Sequence, residues 1–142
     1  MSTTERLARL LDILIPGDAD FPPPGRIDLA TAMLGHDRFA AFAETALAGL
    51  PDGFERLAPT EAIAAVAALE AADPAAFGAL LTGLYSLYYV HPAVLEAVER
   101  VSGYAARPPQ PEGYRLAPFD PAIVAIPAAR RPHYRDPEEQ RR

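Results

Sequence analysis

Apolar positions recur at helical spacing along most of the chain, and the breaks in that recurrence fall on residues that stop helices. Ser2 followed three residues later by Glu5 is a capping-box pattern, after which Leu7, Leu10, Leu11 and Leu14 line one face until Pro16-Gly17 ends the run. The text then turns acidic and reaches Pro22-Pro23-Pro24-Gly25, which predicts a rigid loop because proline lacks the amide donor and clashes with a preceding turn. Asp28 is placed to cap a short helix through Leu34, and Asp37 to open another carrying Phe39, Phe42, Ala46, Leu47 and Leu50 before Pro51-Asp52-Gly53. Thr60 reads as the cap of a helix over residues 61–71, with Ile63, Val66, Ala67 and Leu69 as its inward face. Asp73-Pro74 launches the most apolar stretch, with Phe77, Leu80, Leu81, Leu84, Tyr85, Leu87, Tyr88 and Tyr89, predicted to be the central helix. His91-Pro92 starts a sixth helix, with Val94, Leu95, Val98 and Val101 facing inward and Ser102-Gly103 as its end. The predicted fold class is all-α: a small bundle of five to six helices over residues 1–104.

Past residue 104 the pattern changes. Eight of the sixteen prolines fall in the last 39 residues, which predicts an extended proline-rich arm over 105–142 and no independent domain. Such a segment reads as a disordered linker, a wrap over its own core, or an arm laid on a partner. Tyr104, Tyr114, Leu116, Phe119, Ile123, Val124, Ile126 and Tyr134 recur between the prolines, and apolar side chains of that size are costly to leave in water. Arg130, Arg131 and Arg135 add forked donors for carboxylates, so these residues favour the partner-bound arm.

Composition narrows the function classes. With 142 residues, half of them apolar, the chain makes one globular core. The formal charge of −6 argues against a general binder of nucleic acid or anionic membrane. All thirteen basic residues are arginine and asparagine is absent, a bias of the kind a GC-rich genome produces, so the abundance of Ala, Arg, Gly and Pro carries less functional weight. The charge is uneven: six arginines against fourteen acids give −8 over residues 1–103, and seven against five give +2 over 104–142. The absence of cysteine removes disulfides and thiolate chemistry without assigning a compartment. The start of the chain shows no basic n-region, twin-arginine pair or apolar h-region, which predicts a cytoplasmic location, or periplasmic by co-export with a partner. Every strongly apolar stretch is interrupted before the ~18 residues of a membrane span.

No catalytic constellation emerges. Asp12, Asp18 and Asp20 offer hard oxygen ligands, but no 12-residue cation loop with its glycine and closing glutamate follows, so Asp18 reads first as a loop-bending residue. His36, His91 and His133 lack a second ligand at i+3 or i+4, and His91 reads as a helix cap before it reads as a base. Ser86 and Ser102 sit in no nucleophile elbow, and the glycines form no phosphate-binding loop. Catalytic, cofactor-binding and metal-binding residues are therefore expected to be none. Tyr85, Tyr88 and Tyr89 read first as packing and second as an interface with another protein.

The string Leu11-Asp12-Ile13-Leu14-Ile15-Pro16-Gly17-Asp18 with Pro23-Pro24-Gly25 resembles the start of the gluconate 2-dehydrogenase subunit 3 family. Tyr88-Tyr89-Val90-His91-Pro92 and Ser102-Gly103-Tyr104 look like that family's aromatic segment and glycine-tyrosine ending, so the resemblance spans about residues 7–104. It implies a small, helical, non-catalytic subunit that stabilises, matures or helps to export a flavin-dependent dehydrogenase of the glucose-methanol-choline type, with FAD in that large subunit and none in this chain. Many members carry a twin-arginine signal, and this chain departs from them there. The expected partner-binding residues are Tyr85, Tyr88, Tyr89, Tyr104, Tyr114, Phe119, Ile123, Ile126, Arg130, Arg131, Tyr134 and Arg135, with no nucleic acid and no membrane insertion. The rival reading is a free-standing helical adaptor or homodimer unrelated to redox chemistry.

Overall fold

The computed structural model describes residues 2–105 and 118–129. Among them are seven α-helices and no strand, and the chain divides into two units, Met1–Arg107 and Pro108–Arg142. The first unit holds α1 (Thr3–Leu14), α2 (Leu29–Leu34), α3 (Ala40–Gly49), α4 (Pro59–Ala72), α5 (Pro74–Tyr88) and α6 (Pro92–Ser102), with 3-10 turns at Pro24–Ile27 and Phe54–Arg56.

The helix ends follow local chemistry. The capping box of α1 is complete: the Glu5 amide donates to Ser2 Oγ at 3.2 Å and the Ser2 amide to Glu5 Oε2 at 2.7 Å. Asp73 serves two helices at once, closing α4 through its amide to the Leu69 carbonyl and capping α5 by accepting the Ala76 amide at 3.0 Å. The two helices bend 116° apart across that single residue, and no single helix among the described residues is long and apolar enough to cross a membrane. Two expected caps fall elsewhere, and a third, Asp28, holds its cap position without a side-chain bond to the helix amides. Asp28 takes a left-handed conformation (φ 56°) and accepts from the Thr31 hydroxyl instead of a backbone amide. A turn over residues 36–39 precedes α3, so Asp37 opens nothing and the helix starts at Ala40. Pro59, its φ already set for a helix, takes the first position of α4, which leaves Ala58 as the cap and half a capping box from its amide to Glu61 Oε2.

Leu7, Leu10 and Leu11 of α1 and Leu80 and Leu84 of α5 are fully buried and face a common core with Leu29, Met33, Phe54 and Val94. Helix α5 is central, as its composition predicts: it packs against α2, α3 and α4. Its approach to α2 and α3 needs Gly83, where a Cβ would lie 2.8 Å from Met33 Cε and 3.2 Å from Phe39 Cγ. Two inward faces are turned from their predicted setting. In α4 the buried stripe is Ala62, Val66 and Leu69, which leaves Ile63 and Ala67 exposed. In α6 Val94 and Ala97 are buried, Leu95 and Val98 half-buried, and Val101 exposed. Arg6 and Arg9, on the flank of the α1 leucine stripe, pin the chain after α3: Arg6 donates to the Leu50 and Pro51 carbonyls, and Arg9 to those of Glu55 and Leu57. That clamp closes over the fully buried Phe54 ring.

In the second unit the described residues form a 3-10 turn at Pro121–Val124, capped by Asp120 through the Ala122 amide at 2.9 Å, and α7 (Ala125–Ala129). The proline spacing pointed to extended chain there. Pro121 and Pro127 instead occupy the opening turns of short helices, where the amide they lack has no helical partner anyway.

Candidate docking face

The loop between α1 and α2 is held from three sides. Gly17 turns the chain with φ 72°, a conformation and a closeness that exclude a side chain, since a Cβ would meet the Pro23 ring at 2.7 Å. Asp18 then folds the loop upon itself: its Oδ1 accepts the amides of Asp20 at 2.8 Å and Phe21 at 2.7 Å. Those two amides hold the Asp18 carboxyl below its ordinary value. From α1, Asp12 Oδ1 accepts the Gly25 amide at 2.6 Å. Burial pushes the Asp12 carboxyl up, and the Gly25 bond offsets only part of that. From α5, the Tyr88 hydroxyl donates to the Pro22 carbonyl at 2.8 Å. From α6, Arg100 donates to the Asp20 carbonyl at 2.6 Å, with its guanidinium 3.8 Å from the Asp20 carboxylate. The loop-bending role expected of Asp18 and the capping role expected of His91, whose Nδ1 accepts the Ala93 amide at 3.2 Å, are both present.

Two clefts flank this loop and share Pro16 as a wall. The larger, of about 770 Å³, runs between α1 and α4 along Ala8, Ile13, Ala62 and the exposed Ile63, with Asp12 and Glu5 as its carboxylates. The smaller, of about 330 Å³, is bounded by Ile15, Asp18, Phe21, Tyr88 and Tyr89. Beyond it the surface stays apolar, because Tyr85 (43% exposed), Tyr89 (58%) and Val90 (66%) lie open at the end of α5.

The predicted partner-binding residues divide accordingly. Tyr85 and Tyr89 are neighbours on the surface with ring centroids 6.0 Å apart. Tyr88 belongs to the core: it is 2% exposed, and burial together with the Tyr89 and Asp18 groups nearby raises its phenol above the usual value. Its place one residue before Tyr89 turns it about 100° inward, where it holds the loop. Tyr104 is exposed just past α6, its amide donating to Ser102 Oγ. Phe119 and Ile123 are exposed in the second unit, and Ile126 lies in α7. Tyr114, Arg130, Arg131, Tyr134 and Arg135 lie outside the described residues, as does His133. Among the described residues no three His, Cys, Asp or Glu side chains are grouped to share a metal ion.

No family model, curated protein or solved structure matches this chain.

Ile13, Pro16, Ile63 and Asp12 line the larger cleft and were not singled out from the sequence as contact residues. Ile63, expected on the inward face, lies one residue outside the buried 62, 66, 69 stripe, and the nearly all-apolar run around it carries no signal that would have placed it there.

Proposed function

We propose that this chain is a non-catalytic small subunit that stabilises or matures a flavin-dependent dehydrogenase of the glucose-methanol-choline type. The resemblance of its motif string to the gluconate 2-dehydrogenase subunit 3 family suggests the partner, which would carry the FAD. The observation that carries the docking part is the run of large exposed apolar side chains Tyr85, Tyr89 and Val90 beside two clefts on an otherwise acidic helical unit, with Phe119, Ile123 and Val124 exposed in the second unit. Covering such side chains is favourable at about 25 cal/mol per Å² of apolar area removed from water. A partner covered in this way gains folded population by mass action, without this chain touching substrate.

The test is co-expression with a flavin-dependent dehydrogenase of the glucose-methanol-choline type from the same genome. The reading expects one complex of defined mass on size exclusion with light scattering, higher soluble yield of the flavoprotein, and flavin absorbance only in fractions that contain the large chain. A purified chain that reduces a dye with a sugar substrate, binds flavin stoichiometrically, or runs as a homodimer that ignores the flavoprotein overturns it.

A further inference from the structure

The smaller cleft carries chemistry that a plain apolar contact does not need. Asp18 stands in its wall as a carboxylate kept ionised by two backbone amides. Phe21, Tyr88 and Tyr89 stand beside it, the two tyrosine rings set edge to face with centroids 5.3 Å apart and planes at 87°. Aromatic rings and an anionic oxygen around one small cavity attract an organic cation through the ring quadrupole and the charge together. The residues that bound the cleft include no arginine, and Arg100, which reaches the same loop, is spent on Asp20.

We propose that the pocket formed by Asp18, Phe21 and Tyr89 receives an arginine side chain from a docked protein segment, whose apolar neighbours lie on Pro16 and Ile13 to one side and on Tyr85 and Val90 to the other. Arginine fits better than lysine because a planar guanidinium both stacks on a ring and forks onto a carboxylate. A protein segment fits better than a small cation because Pro16 borders both this cleft and the groove of about 770 Å³, so a chain lying across Pro16 reaches both, and that groove holds far more than one cation. The −8 charge of residues 1–103 attracts a basic segment as it approaches. That the occupant is a protein segment rests on the docking reading above; the cation preference of the pocket does not.

The full chain, labelled with nitrogen-15, is titrated with acetyl-Leu-Arg-Leu amide, with the same peptide carrying neutral citrulline for arginine, and with methylguanidinium. Saturable amide shifts centred on Asp18, Phe21 and Tyr89 are expected, with the citrulline peptide bound about three- to thirtyfold more weakly, the range of one part-exposed ion pair plus one cation–π contact. Methylguanidinium alone binds more weakly than the arginine peptide. Asp18→Asn keeps an oxygen for the Asp20 and Phe21 amides while removing the charge, and lowers affinity for the arginine peptide alone by the ion-pair share, about 1.5- to fivefold. Tyr89→Ala, at an exposed position that leaves the core intact, also lowers that affinity and decides the matter should the Asp18 variant melt early. Equal binding of the arginine and citrulline peptides, shifts centred elsewhere, methylguanidinium bound as tightly as the peptide, or indifference to both variants overturns the proposal. A chain that binds the arginine peptide but no flavoprotein overturns only the subunit reading.

Discussion

Tyr88→Phe isolates the bond that ties the α1–α2 loop to the central helix. The ring stays, so no cavity opens in a site that is 2% exposed, and the only loss is the 2.8 Å hydrogen bond to the Pro22 carbonyl. A net intramolecular hydrogen bond contributes about 0.5–1.5 kcal/mol, and a partly buried carbonyl left without its donor adds to the cost, so the variant should lose about 1–2 kcal/mol. For a helical unit near 100 residues that corresponds to a fall in Tm of roughly 4–12 °C, read by far-ultraviolet circular dichroism. The loss is local as well as global: the Asp20, Phe21 and Gly25 amides, whose acceptors are on or next to the loop, should exchange with solvent faster than amides of α3. A melting temperature within ~1 °C of the parent, with those amides equally protected, would refute the claim that Tyr88 holds the loop.

Gly83→Val places two methyls where α5 meets Met33 and Phe39, and overpacking of that kind should cost about 1–3 kcal/mol in urea unfolding. The two loop carboxylates should respond to pH with opposite sign. Asp12 has a folded-state value above its unfolded 3.8, so its contribution to stability is full below 3.8 and is lost as pH rises through the folded value. Asp12→Asn, which keeps an acceptor for Gly25, should therefore gain on the parent in melts run from pH 3 to 7, whereas Asp12→Ala should lose about 1 kcal/mol by leaving that amide unpaired. Asp18 is held low, so its contribution is present above 3.8 and lost as pH falls through the folded value; Asp18→Asn should compare worst with the parent near neutrality. Replacing Tyr85 and Tyr89 together by serine should shift stability little, since both are surface positions, yet on the proposed function abolish co-purification with a flavoprotein partner.

Helix limits are legible in the sequence where a single residue decides them: Ser2 with Glu5, Asp73 with Pro74 and His91 with Pro92 all cap as their local chemistry dictates. Reading fails where the deciding partner is distant in the chain. Asp12 and Gly25 are 13 residues apart, Tyr88 and Pro22 are 66, and Arg100 and Asp20 are 80, so no window of local pattern contains these bonds. The face of α4 is a different failure. Nearly every residue from Ala62 to Leu69 is apolar, so periodicity offers no contrast, and contact with α1 and α5 chooses Ala62 over Ile63. The larger cleft is illegible for that reason, and the smaller one because its walls, the loop after α1 and the end of α5, are about 70 residues apart in the chain.

Within and beside the motif string, the side chains that bond inside the chain and those left exposed do different work. Asp12, Asp18, Tyr88 and His91 each spend a side-chain polar group within the chain, on an amide or a carbonyl of the loop or of a helix start, and the Gly25 amide is the one Asp12 accepts. A motif of that kind specifies a fold and does not by itself specify a reaction. Tyr85, Tyr89, Val90 and Ile63 satisfy nothing inside and remain in water. The first set therefore fixes the height and tilt at which the second is presented, because Tyr88 and Tyr89 are consecutive on one helix and the loop gripped by Tyr88 forms the far wall of the cleft that Tyr89 opens onto. A locked loop beside exposed rings also lowers the ordering cost of association, since the contact surface is largely set before a partner arrives. On the proposed function, a partner would meet the exposed side chains within and beside the motif string, and the buried polar members of that string would hold them still.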